Sequence, residues 1–227
     1  MTGGWRLTTV LQPPATSMRF VVTAGPTREY IDPVRFLSNP STGKMGFAIA
    51  REAARRGHEV VLVAGPVSLK TPSGVRRVDV SSAREMLAAV ESALADAKPS
   101  DVLVASAAVA DWRPAGCAKS KLKKRKMDGV LRLVRNPDIL RTVKGVRKVG
   151  FAAETGDAIP EAARKCRAKG AEMIVANDVA EKGCGFGTDT NRVAFVRPDG
   201  SVERLPLMAK SAVARRIVRA VERGAKI

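Results

Sequence analysis

The chain has 227 residues, 45% of them hydrophobic, and carries 40 Lys and Arg against 22 Asp and Glu, for a net charge of +18. That length holds one substantial core, so one large domain is the default, and the composition has no signature of disorder. No apolar run approaches the roughly 18 residues that a membrane helix needs, and the start lacks the continuous apolar centre of a signal peptide. A flexible N-terminal arm (1–18) ahead of a single domain (19–227) is therefore expected. Cys117, Cys166 and Cys184 lie far apart with no CxxC pair, and His58 is the one histidine. No zinc constellation can be built from that set, and a reducing cytoplasm is the expected compartment.

The first apolar, β-branched run, Phe20 to Ala24, reads as a buried strand. A polar, Gly/Pro-rich loop follows, and a helix begins near Gly43. Connections from strand to helix are usually about 2–6 residues, so this loop is too long for a simple link. It carries hydrogen-bonding side chains (Thr27, Arg28, Arg35, Ser38, Asn39, Ser41, Thr42) at the carboxyl end of the first strand, where open α/β sheets bind nucleotides and phosphates. Arg35, Asn39, Ser41 and the helix N-terminus could together cradle a phosphate and a reacting carbonyl. The plainer reading is that the Asn, Ser and Thr only cap the helix.

His58–Ala64 is a second strand, followed by a short one over Arg76–Val80. Ser81 or Ser82 can cap a helix over residues 83–97, where Met86, Leu87, Val90 and Leu94 have helical spacing. Asp101–Ser106 is the next strand and runs into AAVADWRPAG. Asp111 there could hold a ribose, a base or a phosphate-bound cation, or it could be only a turn aspartate beside Trp112. From Arg113 to Lys148 thirteen basic residues face two acids, a local +11 within the total of +18. The run Lys121–Lys124 lies in that segment and fits a solvated loop, a nucleic-acid contact or a lid over a triphosphate. Leu131–Val134 reads as a short strand, RNPDIL as a helix start with Pro137 near the first turn, and Val149–Ala153 as a strand. Asp157–Lys169 is helical, with Lys165 and Lys169 on one face. Met173–Ala176 is a strand, a hairpin turns at Pro198-Asp199-Gly200, and a helix from about Ala209 to Arg223 ends the domain.

Alternating strands and helices predict an α/β, three-layer fold: a mainly parallel sheet covered on both faces, with an antiparallel edge hairpin near the C-terminus. A dinucleotide-binding fingerprint is absent, because Gly25 is followed only much later by Gly43 and Gly46, and no acid ends the second strand. A P-loop fails as well, since Met45 follows Gly43-Lys44.

Taken together, GPTRE, PVRF, SN, STGKMG, AAVADWRP, KLKK, NPDIL, GFAAET, ANDVA and GFGTDTNRV, in that order, resemble the phosphopantothenoylcysteine synthetases of coenzyme A biosynthesis. The resemblance spans about Arg19 to Met208 and implies a Rossmann-like fold and a cytoplasmic ligase. Such an enzyme joins 4′-phosphopantothenate to L-cysteine through an acyl-nucleotide formed from CTP or ATP, with Mg²⁺ accompanying the nucleotide. By motif it assigns catalytic roles to Arg35, Asn39 and Lys121, with Lys121 as the lid lysine. It assigns nucleotide contacts to Ser41, Ala105, Ser106, Ala107, Asp111, Lys121, Pro137, Asp138, Ile139, Leu140, Phe151, Lys165 and Lys169. It leaves the metal ligands unassigned and implies a homodimer. No flavin-dependent decarboxylase half precedes residue 19, so that activity is expected on another chain. The short, basic link from KLKK to NPDI (Arg125, Lys126, Arg132, Arg135) departs from the family in lid length. The competing class is a nucleic-acid-binding module on the same fold. Asn39, Asp111 and Asp138 argue against it, because binding a phosphate backbone does not call for them.

Overall fold

The computed structural model describes residues 17–123 and 129–224. Its first half contains β1 (Arg19–Ala24), β2 (Arg28–Tyr30), β3 (Phe36–Ser38), α1 (Lys44–Arg55), β4 (Glu59–Ala64), β5 (Arg76–Asp79), α2 (Ala83–Ala93) and β6 (Val102–Ala105). Then come β7 (Trp112–Pro114), β8 (Leu133–Arg135), α3 (Ile139–Thr142), β9 (Arg147–Glu154), α4 (Ile159–Lys169) and β10 (Met173–Asp178). The chain closes with β11 (Thr190–Asn191), β12 (Ala194–Val196), β13 (Val202–Arg204), β14 (Met208–Ala209) and α5 (Lys210–Gly224).

Eight strands form one sheet in the order β13-β12-β10-β9-β6-β1-β4-β5. Pairing is parallel from β5 to β10, while β12 and β13 add an antiparallel edge hairpin. The order reverses between β1 and β6, so the loops leaving those two strands diverge and open a crevice at their carboxyl ends. The inner strands read as unbroken apolar runs because helices cover both faces. Phe20, Val22 and Ala24 pack with α1 and α5 on one side. Val21, Val61 and Val63 pack with Met86 and Val90 of α2 and Ala162 and Cys166 of α4 on the other. The expected three-layer α/β fold is therefore present, with the turn at residues 198–200 where the sequence puts it: Gly200 has φ 87° and Asp199 Oδ1 accepts from Ser201 N at 2.8 Å.

Several boundaries differ from the expectation, each for a local reason. α2 ends at Ala93 and not near 97, because Asp101 accepts from Lys98 N and Arg19 N at 2.8 Å and turns the chain into β6. Pro137 lies before α3, whose N-cap is Asp138, accepting from Arg141 N at 3.1 Å. α4 starts at Ile159, after Asp157 has accepted from its N–H at 3.1 Å. Three two-stranded ribbons, β2–β3, β7–β8 and β11–β14, appear where the sequence suggests loops or a lone strand. Met18, assigned to the arm, is 7% exposed and belongs to the core. Residues 1–16 of the arm, and Lys124, Arg125 and Lys126 of the basic run, lie outside the described residues. Among the described residues no helix is long and apolar enough to cross a membrane.

Two glycines set how closely the loops approach the sheet. A Cβ on Gly65 would stand 1.7 Å from the Pro26 carbonyl oxygen, and one on Gly46 would stand 2.5 Å from Ala24 Cβ and 2.9 Å from Thr23 O. The first turn of α1 is thereby pressed onto the end of β1. Gly46→Ala is expected to destabilise the fold by about 1–3 kcal/mol through overpacking. The check is a lower denaturant midpoint at unchanged m-value.

Candidate active site

A cavity of about 460 Å³ occupies the crevice at the carboxyl ends of the parallel strands. Its floor is the β6 end, Ala105–Ala107, and its sides are the first turn of α1, the 136–140 segment and the loop around Gly185 and Phe186. The segment after β6 is held by hydrogen bonds from the segment after β1. Ala107 N donates to Thr23 Oγ1 at 3.1 Å, Ala110 N to Thr27 Oγ1 at 3.0 Å and Ala108 N to Gly25 O at 2.9 Å. Asn39 Nδ2 donates to Ala108 O and Val109 O, both at 3.2 Å, and Asn136 Nδ2 to Ala110 O at 2.8 Å.

α1 begins from Gly43 in the left-handed region (φ 77°), and no side chain caps its first turn. Its leading N–H groups face the cavity beside Ser41 and form a natural anion acceptor. Of the assigned residues, Asn39, Ser41, Ala105, Ser106, Ala107, Asp111, Pro137, Asp138, Ile139, Leu140, Phe151, Lys165 and Lys169 all line this one cavity. The Asp111 carboxylate has no protein partner among the described residues. Lys165 Nζ bonds Glu154 Oε1 at 2.8 Å, and Lys169 Nζ lies 3.1 Å from Asp138 Oδ2. The purely solvent-facing reading of those two lysines is thus replaced by a place in the cavity wall.

Arg35 and Lys121 are not brought to the cavity. Arg35 sits at the turn of the β2–β3 ribbon, with Nη2 at 2.5 Å from Asp32 Oδ2 and 2.9 Å from Leu122 O. Asp32 is fully buried and also accepts from Leu122 N at 3.1 Å, which fastens the start of the basic loop and leaves Lys121 exposed. The Arg35 guanidinium holds the Asp32 carboxyl well below the ordinary carboxylate range, against the opposing effect of burial. A depressed folded pKa means that this tie is fully present above the unfolded value of about 3.9 and is lost only as pH falls through the folded one.

The sequence reading missed Lys44, Asn136, Asn177, Phe186, Asn191 and Lys210 as cavity residues. Asn177 ends a strand of the parallel sheet, a position that could have been flagged. Lys44, Asn136, Phe186 and Asn191 likewise stand in quoted motifs, STGKMG, RNPDIL and GFGTDTNRV, whereas Lys210, the first residue of α5, stands in none. Ser106 Oγ and Asn191 Oδ1 are buried polar atoms without a hydrogen-bond partner. No group of three His, Cys, Asp or Glu able to hold a metal occurs among the described residues.

Fold and crevice define a doubly wound α/β protein whose cleft at the strand-order reversal is lined by the first turn of a helix and by lysine side chains. Residues 15–224 match the model of the DNA/pantothenate metabolism flavoprotein C-terminal domain, and the chain belongs to that family. It is 46% identical over 202 residues to the coenzyme A biosynthesis bifunctional protein CoaBC of Bacillus subtilis, covering 87% of this chain and 49% of that one. With the protein of the same description from Vibrio vulnificus it shares 43% over 216 residues, covering 92% and 53%. The chain thus spans about half the length of the curated relatives it matches. The crystal structure of a CoaBC C-terminal domain superposes with a TM-score of 0.77 at 41% identity, over 92% of this chain and 96% of that one. A Cab2 variant crystallised with phosphopantothenate-cysteine gives a TM-score of 0.75 at 16% identity, over 92% and 86%, and shares the fold.

Asn39→Asp would turn a double donor into a carboxylate facing two carbonyl oxygens and the anion site. If the cavity binds the nucleoside triphosphate proposed below, its affinity, measured by titration calorimetry, is expected to fall at least about tenfold, the scale of one misplaced charge-bearing hydrogen bond. The melting temperature should change by only a few degrees.

Proposed function

We propose that the chain is a phosphopantothenate–cysteine ligase of coenzyme A biosynthesis. It joins 4′-phosphopantothenate to L-cysteine at the cost of a nucleoside triphosphate, CTP or ATP, and works in the cytoplasm as one domain on residues 19–227. The observation that carries the reading is the convergence of the family-motif residues, Arg35 and Lys121 apart, on one cavity at the switch point. The similarity to a CoaBC C-terminal domain over 96% of that domain supports it.

A carboxylate is a poor electrophile until one of its oxygens is bonded to a good leaving group. Here a substrate carboxylate oxygen attacks the α-phosphorus, the P–O bond to pyrophosphate breaks, and an acyl-nucleotide forms. The cysteine amine then attacks the acyl carbon, loses a proton, and the nucleoside monophosphate leaves with the C–O bonding pair. The protein contributes charge, dipoles and alignment. Ser41 and the free first turn of α1 receive phosphate oxygens, and the backbone edge Ala105–Ala107 reads the base. Asn39 positions the segment over which the acyl group lies. Lys165 and Lys169, each paired with a carboxylate, offer ammonium donors beside the 137–140 wall. Mg²⁺ would travel with the triphosphate, offsetting its charge, and the unpartnered Asp111 carboxylate is an oxygen ligand of suitable chemistry. None of these residues acts as a covalent nucleophile: Cys166 and Cys184 are buried and Cys117 is exposed outside the cavity.

Arg35 is assigned to positioning phosphopantothenate and stabilising the acyl-nucleotide carbonyl, and Lys121 to the lid; contact of either with the ligand requires the segment fastened by Asp32 to leave its place in this structure. A homodimer is the proposed assembly. It would cover Tyr30, Phe36, Trp112, Leu133 and Val134, large apolar residues left exposed on the β2–β3 and β7–β8 ribbons.

Labelled pyrophosphate is expected to exchange into the nucleoside triphosphate when 4′-phosphopantothenate and Mg²⁺ are present, without cysteine. Exchange that persists without phosphopantothenate, or release of phosphate in place of pyrophosphate, would overturn the mechanism. Lys121→Gln should lower turnover about 10²–10³-fold, the usual effect of losing one transition-state donor. Near wild-type turnover would return the lysine run to the status of a solvated surface.

A further inference from the structure

Four lysines among the described residues line the cavity: Lys44, Lys165, Lys169 and Lys210. Three of them are neutralised by carboxylates. Lys44 Nζ bonds Asp189 Oδ1 at 2.8 Å, Lys165 bonds Glu154 at 2.8 Å, and Lys169 lies 3.1 Å from Asp138. Lys210 is the exception. It is also the most deeply buried of the four, 6% exposed, and no carboxylate pairs with it among the described residues. Its ammonium donates to Gly185 O at 2.9 Å and Phe186 O at 3.3 Å. Two carbonyl dipoles replace part of its hydration shell, and the Asp189 carboxylate, which pairs with Lys44, acts on it only from beyond ion-pair distance.

Burying an unpaired ammonium is costly, and an apolar side chain of similar volume would fill the same space without that cost. A purely structural anchor for the 185–186 carbonyls is already supplied, since Thr42 Oγ1 donates to Phe186 O at 2.8 Å and Thr188 Oγ1 to Gly185 O at 3.2 Å. The charge itself therefore needs a partner, and the cavity that Lys210 lines is where one can reach it.

We propose that Lys210 is the binding residue that seats a phosphate group of the ligand, its charge kept free of protein carboxylates for that purpose. The proposal rests on the nucleotide-dependent reading above and deepens it by naming the residue and the ligand group. The two carbonyls hold the ammonium at the cavity wall, while the first turn of α1, carrying Lys44, Met45 and Gly46, supplies N–H groups to the same end. The flanking backbone agrees: Lys210 N donates to Asp189 O at 2.9 Å, so the start of α5 and the end of the 185–189 loop move together. Burial first, and then the neighbouring Lys44 ammonium, lower the Lys210 pKa from the ordinary lysine value. An arriving phosphate would oppose both effects.

The test is binding of pyrophosphate and of CTP to the full chain, followed by calorimetry between low and moderate salt. Lys210→Gln keeps a donor for the loop but removes the charge. It is expected to weaken both ligands at least tenfold and to flatten the salt dependence of their affinity. Thr42→Val removes the neutral anchor of Phe186 and should leave that salt dependence unchanged. Equal effects of the two variants would overturn the proposal, because Lys210 would then act only by holding the loop. Wild-type salt dependence in Lys210→Gln, or no pyrophosphate binding to the wild type, would overturn it as well. If Lys210→Gln does not fold, Lys210→Arg decides: it should retain the salt dependence, and its loss there would contradict the assignment. Binding needs no turnover, so absence of pyrophosphate exchange would sink the ligase reading without touching this one.

Discussion

Two buried threonine hydroxyls hold the crevice in shape. Thr23, 1% exposed, is the penultimate residue of β1, and Thr27, 0% exposed, follows the strand; both accept from backbone N–H groups of the segment after β6. At a switch point the two central strands send their connections to opposite faces of the sheet, and the space between them is open by construction. The threonines turn that divergence into a fixed wall, reinforced by the Gly25–Ala108 backbone bond and by the amides of Asn39 and Asn136. With these N–H groups satisfied, the 105–111 segment can lie against a ligand without swinging into solvent. The same approach explains why Gly46 and Gly65 have no room for a side chain.

Charge is distributed in a way that the net value of +18 conceals. Three of the four cavity lysines are matched by nearby carboxylates, so the crevice is much less positive than its lysine content suggests. Of the basic residues in the 113–148 stretch, Arg113 and Arg135 lie on the β7–β8 ribbon, and Lys119, Lys121 and Lys123 are exposed on the segment that Asp32 and Arg35 fasten to the β2–β3 turn. Long-range attraction of anions and local contact with them are thus carried by different parts of the chain.

The sheet was legible because its strands are buried on both faces and its helices are amphipathic; the runs at Phe20–Ala24, His58–Ala64 and Met173–Ala176 admit little else. The ribbons were not legible. Strands of two or three residues, such as Thr190–Asn191 and Trp112–Pro114, are too short for periodicity to register and exist through pairing with distant partners. The site divides along the same line. Asn39 and Ser41 on the loop after β1, and Ala105–Ala107 and Asp111 on the segment after β6, stand in recognisable motifs and line the cavity. Lys210 reaches it through the start of α5 and in the sequence looks like an ordinary helix lysine, while Asn191, on the β11–β14 ribbon, stands in GFGTDTNRV with no role assigned to it. Arg35 shows the converse: its motif implies a ligand contact, whereas local chemistry gives it a buried aspartate as partner.

The central claim is that the crevice between the β1 and β6 loops binds the nucleotide. A crystal structure of the protein with CTP, 4′-phosphopantothenate and Mg²⁺, without cysteine, tests it most directly. The account predicts phosphate oxygens at the first turn of α1 beside Ser41, with the base along Ala105–Ala107. Nucleotide bound instead on the basic β7–β8 ribbon, with the crevice empty, would contradict it.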